Sequence, residues 1–176
     1  MIKSALTFLI IILVYSLGAQ TKFSNAVIIA QFDKPEDRYA IEVALTDIFS
    51  AQNMHVLPMQ NILKQGGNPL ILCNDSVQKM LKNKGFDTYL IVNVRGYDRR
   101  FKPSESLVTF CDAMDMTSIY KLYRDEATSV SFEFLFFQKN QIVFRDILKC
   151  GNISDRNSTL KRFKKKLPKR MKKKWN

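Results

Sequence analysis

The sequence predicts an α/β fold on the α+β border: a mixed sheet with three parallel strands, an added antiparallel hairpin and helices packed on it. Three observations predict it. Apolar runs and helix-period stripes alternate between residues 24 and 95, the pattern of parallel strands joined by crossover helices. Two strand patterns at 129–137 and 142–148 are separated by the turn Lys139-Asn140, which reads as a hairpin. The chain then closes on a segment that combines one apolar stripe with a run of cations. With 176 residues, 46% hydrophobic and 25% charged, it is long enough for one domain with a sizeable core. The same figures exclude disordered, collagenous and disulfide-scaffold chains.

Met1 to Gln20 reads as an address. Lys3 precedes an apolar run at residues 5–15, and Ser16, Gly18 and Ala19 follow, the order of a secretory signal peptide. The run is short against the ~20 residues that cross a bilayer. Cleavage is expected after Gly18 or Ala19. The expected organisation is a signal peptide over 1–19, a single α/β domain over 20–158, and a basic amphipathic helix over 159–176 that forms part of the domain. Export, to the periplasm or the medium, makes the environment oxidising. The three cysteines, Cys73, Cys111 and Cys150, are expected as buried thiols packing like small hydrophobes. One disulfide is the alternative, and sequence does not separate its three pairings.

Residues 24–31 (SNAVIIAQ) form the first strand, an apolar run of buried-strand length. Asp33-Lys-Pro-Glu36 reads as a helix start with an Asp cap and Pro in the first turn, and Ile41, Leu45, Ile48 and Phe49 carry that helix to about Gln52. Met54-His-Val-Leu57 is a short second strand stopped by Pro58. A helical turn at 59–64 is broken by Gly66-Gly67-Asn68-Pro69. Asn74-Asp75-Ser76 caps a second helix that Gly85 closes, and residues 87–95 (DTYLIVNVR) are the third strand. Residues 97–106 are loop. Residues 107–124 fit neither period cleanly and are read as a strand fragment and a short helix. In the hairpin Phe132, Phe134 and Phe136 share one face. Ser158 or Asn157 is expected to cap the last helix.

The net charge is +12, and its placement is uneven. Residues 1–155 hold 17 Lys and Arg against 16 Asp and Glu, whereas 156–176 hold 11 Lys and Arg and no acid. In that segment Leu160, Phe163, Leu167, Met171 and Trp175 are spaced 3, 4, 4 and 4, one stripe of a helix. Lys161, Arg162, Lys164, Lys165, Lys166, Lys169, Arg170, Lys172, Lys173 and Lys174 cover the other faces. Pro168 is expected to kink or split it. A stripe packed on the sheet leaves these cations solvated; a stripe laid on a membrane makes them ligands of an anionic envelope or lipopolysaccharide surface. Export disfavours a nucleic-acid partner.

No catalytic motif appears. The chain has a single His, His55, inside a predicted strand, no nucleophile elbow and no phosphate loop. No cofactor and no metal are expected. Asp33, Glu36 and Asp37 gather after the first strand, so a small carboxylate hydrolase is the alternative to a binding module. Open α/β sheets bind ligands at the carboxyl ends of parallel strands. Arg95, Arg99 and Arg100 are the cations expected there to hold a carboxylate or phosphate.

The order strand (AVIIAQF), helix, short strand, helix, strand (FDTYLIVNV) behind a signal peptide resembles small exported bacterial domains, and is similar in element order to the N-terminal domain of TolB. The Gly-Ala-Gln ending of the leader and the Lys- and Asn-rich composition are similar to proteins of Bacteroidota. The resemblance covers about Ser24 to Val94 and implies protein–protein interaction in the envelope, with no catalytic residues. The chain departs from it in lacking a lipobox Cys and a propeller domain and in its basic C-terminus. Together these readings predict an exported, non-enzymatic domain that binds a protein partner or an anionic envelope surface.

Overall fold

The computed structural model of the chain describes residues 23–63, 67–116 and 120–175, so the leader read at 1–19 lies outside the described residues. One five-stranded sheet has the order β2-β1-β3-β4-β5. Its strands are β1 (Asn25–Gln31), β2 (His55–Pro58), β3 (Tyr89–Tyr97), β4 (Ser129–Gln138) and β5 (Gln141–Gly151). β1 pairs in parallel with β2 and β3, whereas β3–β4 and β4–β5 are antiparallel. The fold is the expected α/β one, three parallel strands extended by a hairpin. The helices are α1 (Pro35–Ser50), α2 (Asp75–Asn83), α3 (Phe110–Asp115) and α4 (Arg156–Lys174).

Alternation along the strands sends side chains to two cores. On one face Ile28, Ala30, Leu90, Val92, Phe132, Phe134 and Phe136 meet Ile41, Leu45 and Phe49 of α1 and Phe163, Leu167, Met171 and Trp175 at the end of the chain. On the other Val27, Ile29, Ile91, Leu135 and Phe137 meet Leu72, Leu81 and Phe110, carried by a 3₁₀ turn at Pro69–Cys73, by α2 and by α3. Cys73 ends that turn and Cys111 lies in the first turn of α3. Their Cα atoms are 5.6 Å apart and the two form a disulfide. Only Cys150 remains a buried thiol, so the expectation of three free thiols is corrected: neighbouring elements packed on one face bring two of them together.

Three local expectations are corrected as well. Asp33 does not cap α1; Lys34 is the N-cap, with no side-chain cap bond. Pro35 at N1 already removes one orphan donor. α4 is capped by Asp155, which exchanges hydrogen bonds with Ser158 in a capping box, so Ser158 is the reciprocal partner and Asn157 has no cap role. Residues 107–109 form no strand. They belong to a strap over the second face, held where the Arg145 guanidinium donates to the carbonyl oxygens of Ser104 and Ser106. The strap starts at Phe101, whose ring fills the space above Gly96. A Cβ there would lie 2.5 Å from the ring, and the φ of +151° also calls for glycine.

α4 runs unbroken through Pro168. Burial of its stripe on both sides of the proline explains this: Phe163 and Leu167 are fully buried, with Met171 and Trp175 nearly so. Phe163 packs edge-to-face on Phe132, centroids 4.8 Å apart, and Trp175 on Phe134 and Phe136, both at 5.1 Å. A polar clamp fixes the far end. The buried Asp146 of β5 accepts from Arg170 Nε at 2.7 Å, from Arg170 Nη2, and from Trp175 Nε1 at 2.8 Å.

β2 ends at Pro58, so the edge of β1 beyond it lacks a strand partner. Glu42 of α1 takes its place, accepting from Ala30 N at 3.2 Å through one oxygen and from Gln60 N at 3.3 Å through the other. Burial pushes the Glu42 carboxyl up to about 7, while the two backbone bonds pull the other way.

Two outcomes follow from this packing. Phe163→Ala should cost about 3–5 kcal/mol in urea unfolding, and a loss under 1 kcal/mol would mean the stripe is not core. Because Glu42 binds its proton more tightly folded than unfolded, where the value is near 4.5, its contribution is complete below pH 4.5 and fades as the pH rises through 7. Unfolding free energy should therefore fall by about 3 kcal/mol between those limits, and Glu42→Gln should flatten that slope. A wild-type curve that is level or rising there contradicts it.

Candidate functional site

Docking of the stripe sorts the cations of α4. Three form ion pairs: Arg156 Nε with Asp37 at 2.5 Å, Arg170 with Asp146, and Lys164 Nζ with Asp47 at 3.7 Å. Two hold backbone oxygens: Arg162 Nε donates to Asn152 O at 3.3 Å and Lys166 Nζ to Lys149 O at 3.0 Å. Lys161, Lys165, Lys169, Lys172, Lys173 and Lys174 are exposed and have no partner among the described residues. Lys161, Lys165, Lys169 and Lys173 follow one another at intervals of four, and Lys172 lies between Lys161 and Lys165 in angle. They make a ridge along the side of α4 opposite the buried stripe. The apolar side chains that a membrane-inserted helix would use are already buried on the sheet, so what this ridge presents outward is charge.

The pairs Asp37–Arg156 and Asp47–Lys164 show that α1 and α4 run side by side in the same direction. Their N-termini therefore meet. A cleft of about 290 Å³ opens between them, lined by Lys34, Asp37, Lys121, Tyr123, Arg124, Asp125 and Arg156. Buried partners fix its walls. Asp37, 3% exposed, accepts from Arg156 and, through its other oxygen, from Leu122 N at 3.3 Å. Arg156 Nη2 also donates to Glu36 O at 2.9 Å. Arg124 stacks over the Tyr97 ring, 4.7 Å from its centroid, and pairs with Asp98 at 3.3 Å. Asp98 in turn accepts from Thr128 Oγ1, Thr128 N and Ser129 N, and these bonds, the hydroxyl's foremost, hold its carboxyl below the usual range.

A second cleft, of about 190 Å³, lies at the end of β1 and is lined by Gln31, Asp33, Arg38, Met59, Met114 and Met116 among others. Arg38 turns its guanidinium to the carbonyls of Phe32 and Asp33, and Gln31 Nε2 donates to Ala113 O at 2.8 Å. Asp33, Glu36 and Asp37 do not converge: Asp33 faces this cleft, Asp37 is buried against Arg156 in the other, and Glu36 lines neither. Neither cleft offers the pair of facing free carboxylates that acid–base hydrolysis uses.

Arg95, Arg99 and Arg100 line neither cleft. Arg95 lies 4.0 Å from Glu133, and beside that pair Asn93 Oδ1 and Glu133 Oε1 are buried without a hydrogen-bond partner among the described residues. Arg99 and Arg100 are exposed on the loop after β3. The cations gathered at the helix N-termini are instead Lys34, Lys121, Arg124 and Arg156, which come from three distant parts of the chain. His55 is exposed on β2 and packs on Phe86, centroids 4.7 Å apart. Burial pushes the Cys150 thiol up to about 12, which leaves it unreactive. Among the described residues no group of three His, Cys, Asp or Glu is placed to hold a metal ion.

No family model matches the chain, and no curated protein matches it. Among solved structures it is similar to lipoprotein GNA1162 from Neisseria meningitidis, 9% identical, with a TM-score of 0.46 over 85% of this chain and 99% of that one. It is also similar to PelC from Paraburkholderia phytofirmans in two dodecamer structures. These are 11% identical, with TM-scores of 0.41 and 0.42, over 81% and 86% of this chain and 83% and 91% of theirs. Likenesses of this size follow the general course of the chain and go no further.

Proposed function

We propose that the protein is an exported, non-enzymatic binding module whose lysine ridge on α4 engages an anionic surface of the cell envelope. The observation that carries this reading is the ridge itself: exposed lysines, without a partner among the described residues, on a helix whose apolar stripe and polar clamp hold it rigidly on the sheet. A docked helix keeps these charges in register, so little ordering is required when a polyanionic surface approaches. The disulfide between Cys73 and Cys111 fits an oxidising compartment, as does the leader read at residues 1–19. Among the described residues no helix is long and apolar enough to cross a membrane. In this reading the contact is electrostatic, and each lysine near an anionic lipid surface contributes about 1 kcal/mol.

Sedimentation with vesicles checks it. The protein should pellet with phosphatidylglycerol vesicles at low salt, stay in solution with phosphatidylcholine, and be released by about 0.5 M salt. The double change Lys165→Glu and Lys169→Glu, both at exposed positions, should weaken binding at least tenfold without altering thermal stability. Equal recovery with the neutral vesicles, or an unchanged affinity in the double variant, removes the proposal.

A further inference from the structure

We infer that the cleft between the N-terminal ends of α1 and α4 is a specific site for a phosphate-bearing ligand, separate from the lysine ridge. Its walls carry Lys34, Lys121, Arg124 and Arg156 against Asp37 and Asp125. Asp98 pairs with Arg124 behind that wall, so one positive charge is left over, the sign that a phosphate group needs. Arg156 faces away from the ridge, toward α1, so the cleft and the ridge are different surfaces.

The cations differ in how they are held, and the difference is what a binding site requires. Both arginines are fixed in advance. Asp37 and Glu36 O take Arg156 Nε and Nη2, and Asp98 and the Tyr97 ring position Arg124; Arg156 Nη1 and Arg124 Nε and Nη1 have no partner among the described residues. Tyr97 is itself anchored, its hydroxyl donating to Lys121 O at 2.5 Å. Lys34 and Lys121 are exposed and have no ion-pair partner among the described residues, free to close over a bound group. Asp37 and the Tyr97 ring, both buried, together with the exposed Asp98 orient the planar forks, and the ammonium groups add charge. A volume of about 290 Å³ exceeds that of a lone phosphate and admits a sugar-sized group beside it, with Tyr123 on the wall to cover a ring face.

Calorimetric titration of the full chain with inorganic phosphate tests the site, with sodium chloride at matched ionic strength as reference. Saturable one-to-one binding with a dissociation constant on the order of 1 mM or tighter is expected. Lys34→Ala and Lys121→Ala together should weaken it at least tenfold. Neither substitution threatens the fold, since the Lys34 side chain makes no cap bond and both residues are exposed. The ridge variant Lys165→Glu with Lys169→Glu should bind phosphate as the wild type does, so failure of the site and failure of the ridge are read separately. A phosphate response that does not saturate, or that survives intact in the Lys34/Lys121 variant, overturns the assignment. Vesicles of phosphatidic acid distinguish the source of the group: competition with free phosphate assigns a lipid headgroup, and its absence assigns a soluble phosphorylated molecule.

Discussion

A helix with eleven Lys and Arg in its segment and no acid is held against an apolar sheet face, and this single docking sets the charge pattern of the whole molecule. Such a helix alone in water would suffer repulsion at its cationic i,i+4 pairs, among them Lys161/Lys165, Lys165/Lys169 and Lys169/Lys173. What holds it is burial of Phe163, Leu167, Met171 and Trp175 among the aromatic side chains of β4. Full burial of side chains of this kind stabilises by about 1.5–3 kcal/mol each, against a few tenths for each like-charge pair. The stripe wins. Once it does, the neighbouring acids Asp37 and Asp146 are drawn into pairs with Arg156 and Arg170 at the two ends of the helix.

Those two pairs behave differently from the third. Asp37 and Asp146 are buried, accept further hydrogen bonds from Leu122 N and Trp175 Nε1, and would be left as uncompensated charges if their arginines were lost. Lys164 and Asp47 are both more than half exposed and contribute little. The helix is thus pinned at both ends by geometry and in the middle by apolar contact, which is why a proline two residues before Arg170 of its clamp does not split it. Rigid placement has a consequence for function. The remaining lysines form a fixed array, whereas on a free amphipathic helix they would become ordered only on contact.

Much of the architecture was readable because it rests on local periodicity. SNAVIIAQ and DTYLIVNVR are strands buried on both faces and read as continuous apolar runs. The alternation of Phe132, Phe134 and Phe136 with Leu135 and Phe137 gave the hairpin, and the 3-4-4-4 spacing gave the stripe. The arrangement around the cleft was not readable, since Lys34, Arg124 and Arg156 meet only because α1 and α4 lie parallel on one face. Arg95, Arg99 and Arg100 were adjacent in sequence and looked like a cluster. In the structure the bulge at Gly96 and the turn at Asp98, with φ at 54°, direct them away from the strand ends that hold the clefts. The pairing of Cys73 with Cys111 was hidden for the same reason, because it depends on two short elements sharing a face.

Asp37 shows how the same residues carry two meanings. Beside Asp33 and Glu36 in sequence it looks like part of a carboxylate group able to do acid–base work. Buried under Arg156 and bonded to Leu122 N, it has given up both oxygens, and its negative charge serves to aim a guanidinium. A carboxylate in that position converts a helix start rich in acid into a cleft whose working groups are cationic. The sign of the site is therefore set by which charges are already satisfied: counted by sequence the start of α1 is acidic, and counted by what remains free it favours an anion. Free cations on the ridge arise from the excess of positive charge in α4 over the acids within its reach, whereas Lys34 and Lys121 at the cleft are left free because Asp37 is already taken by Arg156.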